Sequence, residues 1–257
     1  MTPVRFVAAS AVLVLAGCTE SAPSAVPLGD EPFRVPWEFE ECTFVTAQRP
    51  VDAERLADVM PAGTRAARDA DGRTQFGVRA LVCEAGHIMG RDLGSRVEYA
   101  DYFAAAHASV DVERPAGEVL AKWRTLMTED LARADFERAG LDVVDGRVDV
   151  TDARLATHVE IEFGEDRVEL EFVPSANAQE EQRQRADEFT SIGDERLAVW
   201  RAQATESQVY TSDGVLRASP GSLAAEFFGQ EAIRVTIEFG HLRAYAGTIE
   251  GPLPARG

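Results

Sequence analysis

The stretch Thr157–Val173 reads THVEIEFGEDRVELEFV, and its pattern decides the fold class. On one arm Val159, Ile161 and Phe163 alternate with His158, Glu160 and Glu162; on the other Val168, Leu170 and Phe172 alternate with Glu169 and Glu171. A period of two is the mark of a half-buried strand, and two such arms around a loop at Gly164–Arg167 predict an antiparallel hairpin. Pairing Val159, Ile161 and Phe163 with Phe172, Leu170 and Val168 sets Glu160 against Glu171 and Glu162 against Glu169 on the other face. Like charges directly opposed destabilise a sheet. An arginine from a neighbouring strand, such as Arg147 or Arg234, a bound cation, or plain exposure to water relieves them. These four glutamates with His158 form the one polar cluster that the pattern brings together.

Working outward, most of the chain repeats this strand-and-turn grammar. Trp37–Thr46 is strand-like, with Trp37 and Phe39 in one phase and Cys42 and Phe44 in the other, which predicts a bulge near Glu40 and Glu41. Asp52 caps a short helix carrying Ala53, Leu56, Ala57 and Met60 on one face, ended by Pro61 and Gly63. Segments 65–68 and 74–83 flank Asp69–Gly72 as a hairpin, and 97–112 reads as a long strand with its aromatics out of clean phase. The spacing of Leu120, Trp123, Met127, Leu131 and Ala134 predicts a helix over 117–139, closed by Gly140. A hairpin turn is expected at Asp145–Gly146, and a surface excursion over 175–187, where Gln, Glu, Arg and Ala dominate without an apolar stripe. Strands follow over 197–202 and 207–211, a turn at 212–214, a helix over 220–228 with Ser219 as cap and Gly229 as stop, and a final strand pair, 233–239 with 242–249. Together these predict an α+β domain with a large, mostly antiparallel, curved or barrel-like sheet and two or three helices.

The 257 residues include 26 basic and 44 acidic side chains, for a net charge of −18. Such a balance repels phosphate backbones and argues against nucleic-acid binding. Lys122 is the only lysine; every other basic residue is arginine. At the N-terminus Arg5 precedes an apolar run from Phe6 to Leu15, too short for a membrane span at roughly 20 residues, followed by Leu15-Ala16-Gly17-Cys18. This resembles the signal peptide and lipobox of bacterial lipoproteins. The resemblance implies removal of residues 1–17, lipidation of Cys18 by palmitate-type acyl chains, and an extracytoplasmic domain whose membrane partner is reached through that anchor. Residues 18–36, with Pro23, Pro27, Pro32 and Pro36, then form a tether, residues 37–251 a single domain, and 252–257 a tail. With Cys18 lipidated, Cys42 and Cys83 remain in a compartment that permits disulfides, and a bridge between them is expected. It requires the face of Leu81 and Cys83 to meet the strand carrying Cys42.

No catalytic residue set stands out. A Gly-x-Ser-x-Gly turn and a phosphate-binding glycine loop are missing, and His87, His107, His158 and His241 lack the spacing of a helical metal site, so no cofactor and no metal is expected. The strand with Phe39 and Phe44, the segment Val51-Asp52-Ala53, the stop Met60-Pro61-Ala62-Gly63 and the strand ending near Cys83 resemble the opening of acetoacetate-decarboxylase-like domains. The resemblance implies a curved antiparallel sheet around a small, mostly apolar cavity. The decarboxylases of that family use a lysine that forms a Schiff base. Lys122, on the predicted helix beside Trp123 and Arg124, has no family motif around it, so that chemistry is not expected. The expected function is non-enzymatic binding of a small molecule or an envelope partner. The alternative is an exported hydrolase or lyase built on carboxylates such as Glu160 and Glu171 with a histidine.

Overall fold

The computed structural model describes residues 32–61, 63–94, 96–108, 118–152, 156–175, 179–181, 185–192 and 196–254. The leader, Cys18 and most of the tether lie outside them. In chain order the elements are β1 (Phe33–Asp52), a 3-10 turn (Ala53–Leu56), β2 (Thr64–Ala66), β3 (Arg73–Ile88), β4 (Arg91–Asp92), β5 (Val97–Ala108), β6 (Glu118–Met127), α1 (Asp130–Arg138), β7 (Val143–Val144), β8 (Gly146–Asp152), β9 (Thr157–Phe163), β10 (Asp166–Phe172), β11 (Gln179–Glu181), β12 (Arg185–Ile192), β13 (Arg196–Ala218), α2 (Leu223–Phe228) and β14 (Ile233–Pro254). β1 begins at Phe33, paired with Gly251, so residues 33–36 of the expected tether are strand, and β14 runs past the expected end at 251.

Strands β12, β6, β5, β3, β1, β14 and β13 pair side by side, and β13 returns to β12, closing a seven-stranded barrel. This is the expected class of curved, mostly antiparallel sheet; among the described residues there are two helices, and only the β12–β6 and short β6–β7 pairings are parallel. From β13 the sheet continues through β10 and β9 to β8. The long strands therefore serve two cores. One fills the barrel with Trp37, Phe39, Tyr99, Phe136 and Trp200; the other gathers Phe76, Tyr102, Ile161, Leu170, Phe227 and Ile237 from the extended ends, the β8–β10 layer and α2. Strands buried on both faces lose clean alternation. That is why Tyr99 and Tyr102 on β5 point into different cores.

The bulge expected near Glu40 and Glu41 is not formed, since the register is the same before and after Glu41 against both β14 and β3. Glu41 takes a left-handed φ of 48°, and pairing passes from Glu40 to Cys42 against both neighbours. The buried phase changes there, from Phe33, Val35, Trp37 and Phe39 to Cys42. Cys42 faces Cys83 in register and is bonded to it, tying β1 to β3 as expected.

Several expectations are corrected. The segment 117–139 is not one helix: β6 occupies its first half and α1 only Asp130–Arg138. In β6, Arg124 has φ 41° and two residues oppose Asp101 of β5, a bulge that reverses which side chains face the barrel. Leu120 and Lys122 point inward, Trp123 and Leu126 toward the second core, and Met127 inward again. The resulting spacing of three and four imitates a helical stripe. β2 pairs with β5, so Asp69–Gly72 is a turn without a hairpin, with Asp69 accepting from the amides of Asp71 and Arg73. Asp145–Gly146 likewise joins β7, which pairs with β6, to β8, which pairs with β9. The surface excursion ends early: β12 starts at Arg185 and closes the barrel. Segments 197–211 and 233–249 are single strands, β13 and β14, because each pairs on both sides along most of its length. Ser222, not Ser219, caps α2, by accepting from the amide of Ala225, while Gly229 ends it as expected.

Candidate active site

The predicted polar cluster comes out on an outward face. Its register differs by two residues from the expected one: Glu160 opposes Glu169, Glu162 opposes Arg167, and Glu171 opposes His158. Arg167 from the same hairpin bridges Glu160 at 2.8 Å and Glu169 at 3.0 Å, and Arg217 of β13 lies 3.6 Å from Glu171. Arginine therefore relieves the repulsion: Arg167 and Arg217 pair with Glu160, Glu169 and Glu171, and Arg147 of β8, as expected, stands directly opposite Glu162 and attracts it. These carboxylates are 36–44% exposed. Among the described residues no group of three or more His, Cys, Asp and Glu side chains is placed to hold a metal ion.

One group of buried charges lies in the barrel, where six strands meet; Glu98, Asp135 and Asp187 are buried apart from it, beside Arg96, Arg91 and Arg138, and Arg201. Arg79 on β3 stands directly opposite Asp101 on β5, and Phe103 opposite Lys122 on β6; Glu188 on β12 sits between Leu120 of β6 and Trp200 of β13. Tyr99 of β5 and Tyr245 of β14 complete the group. The guanidinium of Arg79 donates to both Glu188 oxygens at 2.6 and 2.9 Å and to Asp101 Oδ2 at 2.6 Å. Lys122 Nζ donates to the Tyr99 hydroxyl at 2.7 Å, and that hydroxyl donates to Asp101 Oδ2. Nζ also lies 3.7 Å from Glu188 Oε2, 3.8 Å from Asp101 Oδ2 and 3.2 Å from the centre of the Trp200 ring. The Tyr245 hydroxyl donates to Glu188 at 3.2 Å. Two cations and two anions thus balance, held by tyrosines that carry no charge.

Burial disfavours charged forms, and partners oppose it. For Lys122 burial wins over Glu188 and Asp101, with Arg79 assisting, and its pKa is lowered to about 8. For Glu188 burial pushes up, but Arg79 and Lys122 outweigh it and hold the carboxyl below its usual range. Burial raises the tyrosine values, with Asp101 adding to it at Tyr99 while Arg79 opposes it at Tyr245, so both phenols stay protonated.

Arg79 and Tyr245 also form the floor of a cavity of about 350 Å³, walled by Phe44, Leu81, Phe103, Leu120 and Leu242, with Arg185 lining it as well. Gly77 makes room for one wall: a Cβ there would lie 2.5 Å from the Phe103 ring. A larger cleft of about 470 Å³ near the 3-10 turn, lined by Arg65, Arg68 and His107, includes none of the central charges.

Sequence reasoning located Lys122 on a helix and missed Arg79, Tyr99, Asp101, Glu188, Trp200 and Tyr245. A usable signal existed. Arg79, Asp101 and Lys122 each interrupt an apolar strand between apolar neighbours, where an unpaired charge is too costly to leave.

No protein-family model and no curated sequence matches the chain. Among solved structures it is similar to an acetoacetate decarboxylase-like enzyme from Sphingomonas wittichii RW1, at 12% identity and a TM-score of 0.54, over 87% of this chain and 92% of the other. It is similar to the enduracididine biosynthesis enzyme MppR complexed with pyruvate, at 14% identity and 0.59, over 93% and 94%. Acetoacetate decarboxylase from Legionella pneumophila gives 9% identity and 0.56, over 98% of both chains. At such identities the likeness defines the fold alone: an acetoacetate-decarboxylase-like barrel.

Proposed function

We propose that this chain is a lysine-dependent lyase acting on a small oxo acid, held outside the cytoplasmic membrane by a lipid on Cys18. One observation carries the catalytic half: the only lysine among 26 basic residues sits fully buried at the barrel centre, with its pKa pushed down to about 8. A guanidinium would hold positive charge there equally well, but it keeps its proton. An amine releases it and becomes a nucleophile, and burial beside another cation is the physical route to that state.

The step follows from the neighbours of Nζ. The neutral amine adds to the carbonyl carbon, its two hydrogens leave with the carbonyl oxygen as water, and an imine remains. Protonated, that imine accepts the electron pair of a bond broken at the adjacent carbon. Glu188 is placed to take the amine proton, and Tyr99 connects Nζ to Asp101. Oxo acids enter because acetoacetate decarboxylases share the fold and MppR is described with pyruvate.

Incubating the protein with oxo acids both short (pyruvate, acetoacetate) and extended (para-formylbenzoate), with cyanoborohydride, tests this. A reduced adduct on the Lys122 peptide, lost in Lys122→Arg, is expected. A folded wild-type protein that yields no adduct overturns the catalytic reading. That outcome belongs to the second reading, non-enzymatic binding, which one observation favours: Lys122 has no exposed side-chain surface, and Arg79 and Tyr245 line the cavity above it. The anchor rests on Leu15-Ala16-Gly17-Cys18. Cys18→Ser is expected to abolish acyl mass and move the protein from the membrane fraction to the soluble one.

A further inference from the structure

From the charges around the cavity we infer that Arg185 captures the substrate carboxylate at the rim, and that the substrate is an amphipathic acid with its carbonyl at the far end of an apolar body. This builds on the Schiff-base reading of Lys122. The central charges make Arg79 a poor anchor for an incoming anion. Its guanidinium is already bound to Glu188 and Asp101, and the four central charges cancel. Once Lys122 passes its proton to Glu188, the cluster is still neutral, and no unpaired positive charge at the floor is left to hold a carboxylate beside the amine.

Arg185 differs in each respect. It is exposed, it opens β12 at the edge of the barrel, and among the described residues its guanidinium has no ion pair. Glu238, also on the cavity wall, is engaged within the protein. The cavity that Arg185 shares with Arg79 and Tyr245 is lined on its apolar side by Phe44, Leu81, Phe103, Leu120 and Leu242. A short acid such as pyruvate would leave most of the 350 Å³ unfilled, since that volume equals about a dozen waters at ~30 Å³ each. An acid with a ring or chain between carboxylate and carbonyl fills the apolar section and satisfies both ends.

Two measurements separate this assignment from the reading beneath it. The first is calorimetric binding of para-ethylbenzoate, which has the carboxylate and apolar body but no carbonyl. Wild type binds it, and Arg185→Gln weakens binding about tenfold or more, the scale of a lost charge-assisted contact. The second is cyanoborohydride trapping of para-formylbenzoate and its methyl ester. Wild type prefers the free acid about tenfold at half-saturation, and Arg185→Gln removes the preference while still labelling Lys122 with the ester. Equal binding of para-ethylbenzoate by both proteins, or an acid preference that survives Arg185→Gln, overturns the role of Arg185. Arg185-dependent binding without any adduct on Lys122 upholds the carboxylate site and overturns the Schiff base.

Discussion

The ammonium of Lys122 lies 3.2 Å from the centre of the Trp200 indole, close enough for the ring face to sense whether the charge is present. Trp200 is 2% exposed, so solvent cannot mask the change. Its fluorescence is expected to titrate with a midpoint near pH 8, following Lys122. Lys122→Met should abolish that transition. An identical titration in the variant would assign it to another group.

The same depressed pKa couples stability to pH. Below about pH 8 the lysine is protonated in both folded and unfolded chains; between 8 and its ordinary 10.5 only the unfolded chain holds the proton. The unfolded state then binds more protons, so stability rises with pH across that window. Integrated, the contribution is roughly 3 kcal/mol, at 1.36 kcal/mol per pH unit. Urea melts at pH 7.5 and 9.5 should show wild type gaining stability relative to Lys122→Met. A flat difference would mean that the amine is not desolvated in the native state.

Glu188 faces two cations, so Glu188→Gln leaves a net positive barrel. Breaking a buried pair in this way costs about 3 to 5 kcal/mol. Losing the carboxylate beside Nζ also favours the neutral amine, and the fluorescence midpoint should fall below 8. Combining Glu188→Gln with Lys122→Met restores balance, and the double variant should be less destabilised than the sum of the singles by about 1 to 3 kcal/mol. Additive losses would show that the two charges do not interact.

How much of this was readable in the chain depends on how many faces each segment buries. The hairpin at Thr157–Phe172 buries one face, and its alternation gave both arms, though not the register, because a slip of two residues keeps the same side chains inward. The change of buried phase at Glu41 was legible in the alternation of β1, though it needs no bulge, and the bridge was legible because Cys42 and Cys83 are the two cysteines left once Cys18 is read as lipidated. β6 buries both faces and carries a bulge, so its spacing spoke for a helix and concealed Lys122. Glu188 lies just beyond a polar segment whose composition reads as surface; only closure of β12 on β13 carries it inside. The central charges come from strands far apart in sequence. Local pattern can flag each charge, but assembling them requires the pairing order of the barrel.

The exposed carboxylates supply a contrasting test. Glu160 and Glu171 are held by Arg167 and Arg217 at a partly exposed surface, where such pairs contribute about 0 to 1 kcal/mol. Replacing both by Gln should leave the melting temperature nearly unchanged and the Lys122 adduct unaffected. Loss of a turnover in that variant, with Lys122 still labelled, would move the chemistry to the outer sheet and revive a carboxylate mechanism.

The disulfide separates global stability from the site. It closes a loop with a sequence separation of 41 residues, and the chain-entropy model assigns such a loop about 4 kcal/mol. Cys42→Ser with Cys83→Ser should lower stability by about 2 to 4 kcal/mol, less if the reduced unfolded chain keeps structure in this region. Cys42 and Cys83 lie in the same core as Trp37, Tyr99 and Trp200, yet neither side chain contacts Lys122 through any hydrogen bond or ion pair described for it. The fluorescence midpoint near pH 8 should therefore persist in the double serine variant under conditions where it remains folded. A midpoint that returns toward 10.5 would mean that water has reached the amine, and that the bridge between β1 and β3 keeps the barrel centre dry as well as holding the chain together.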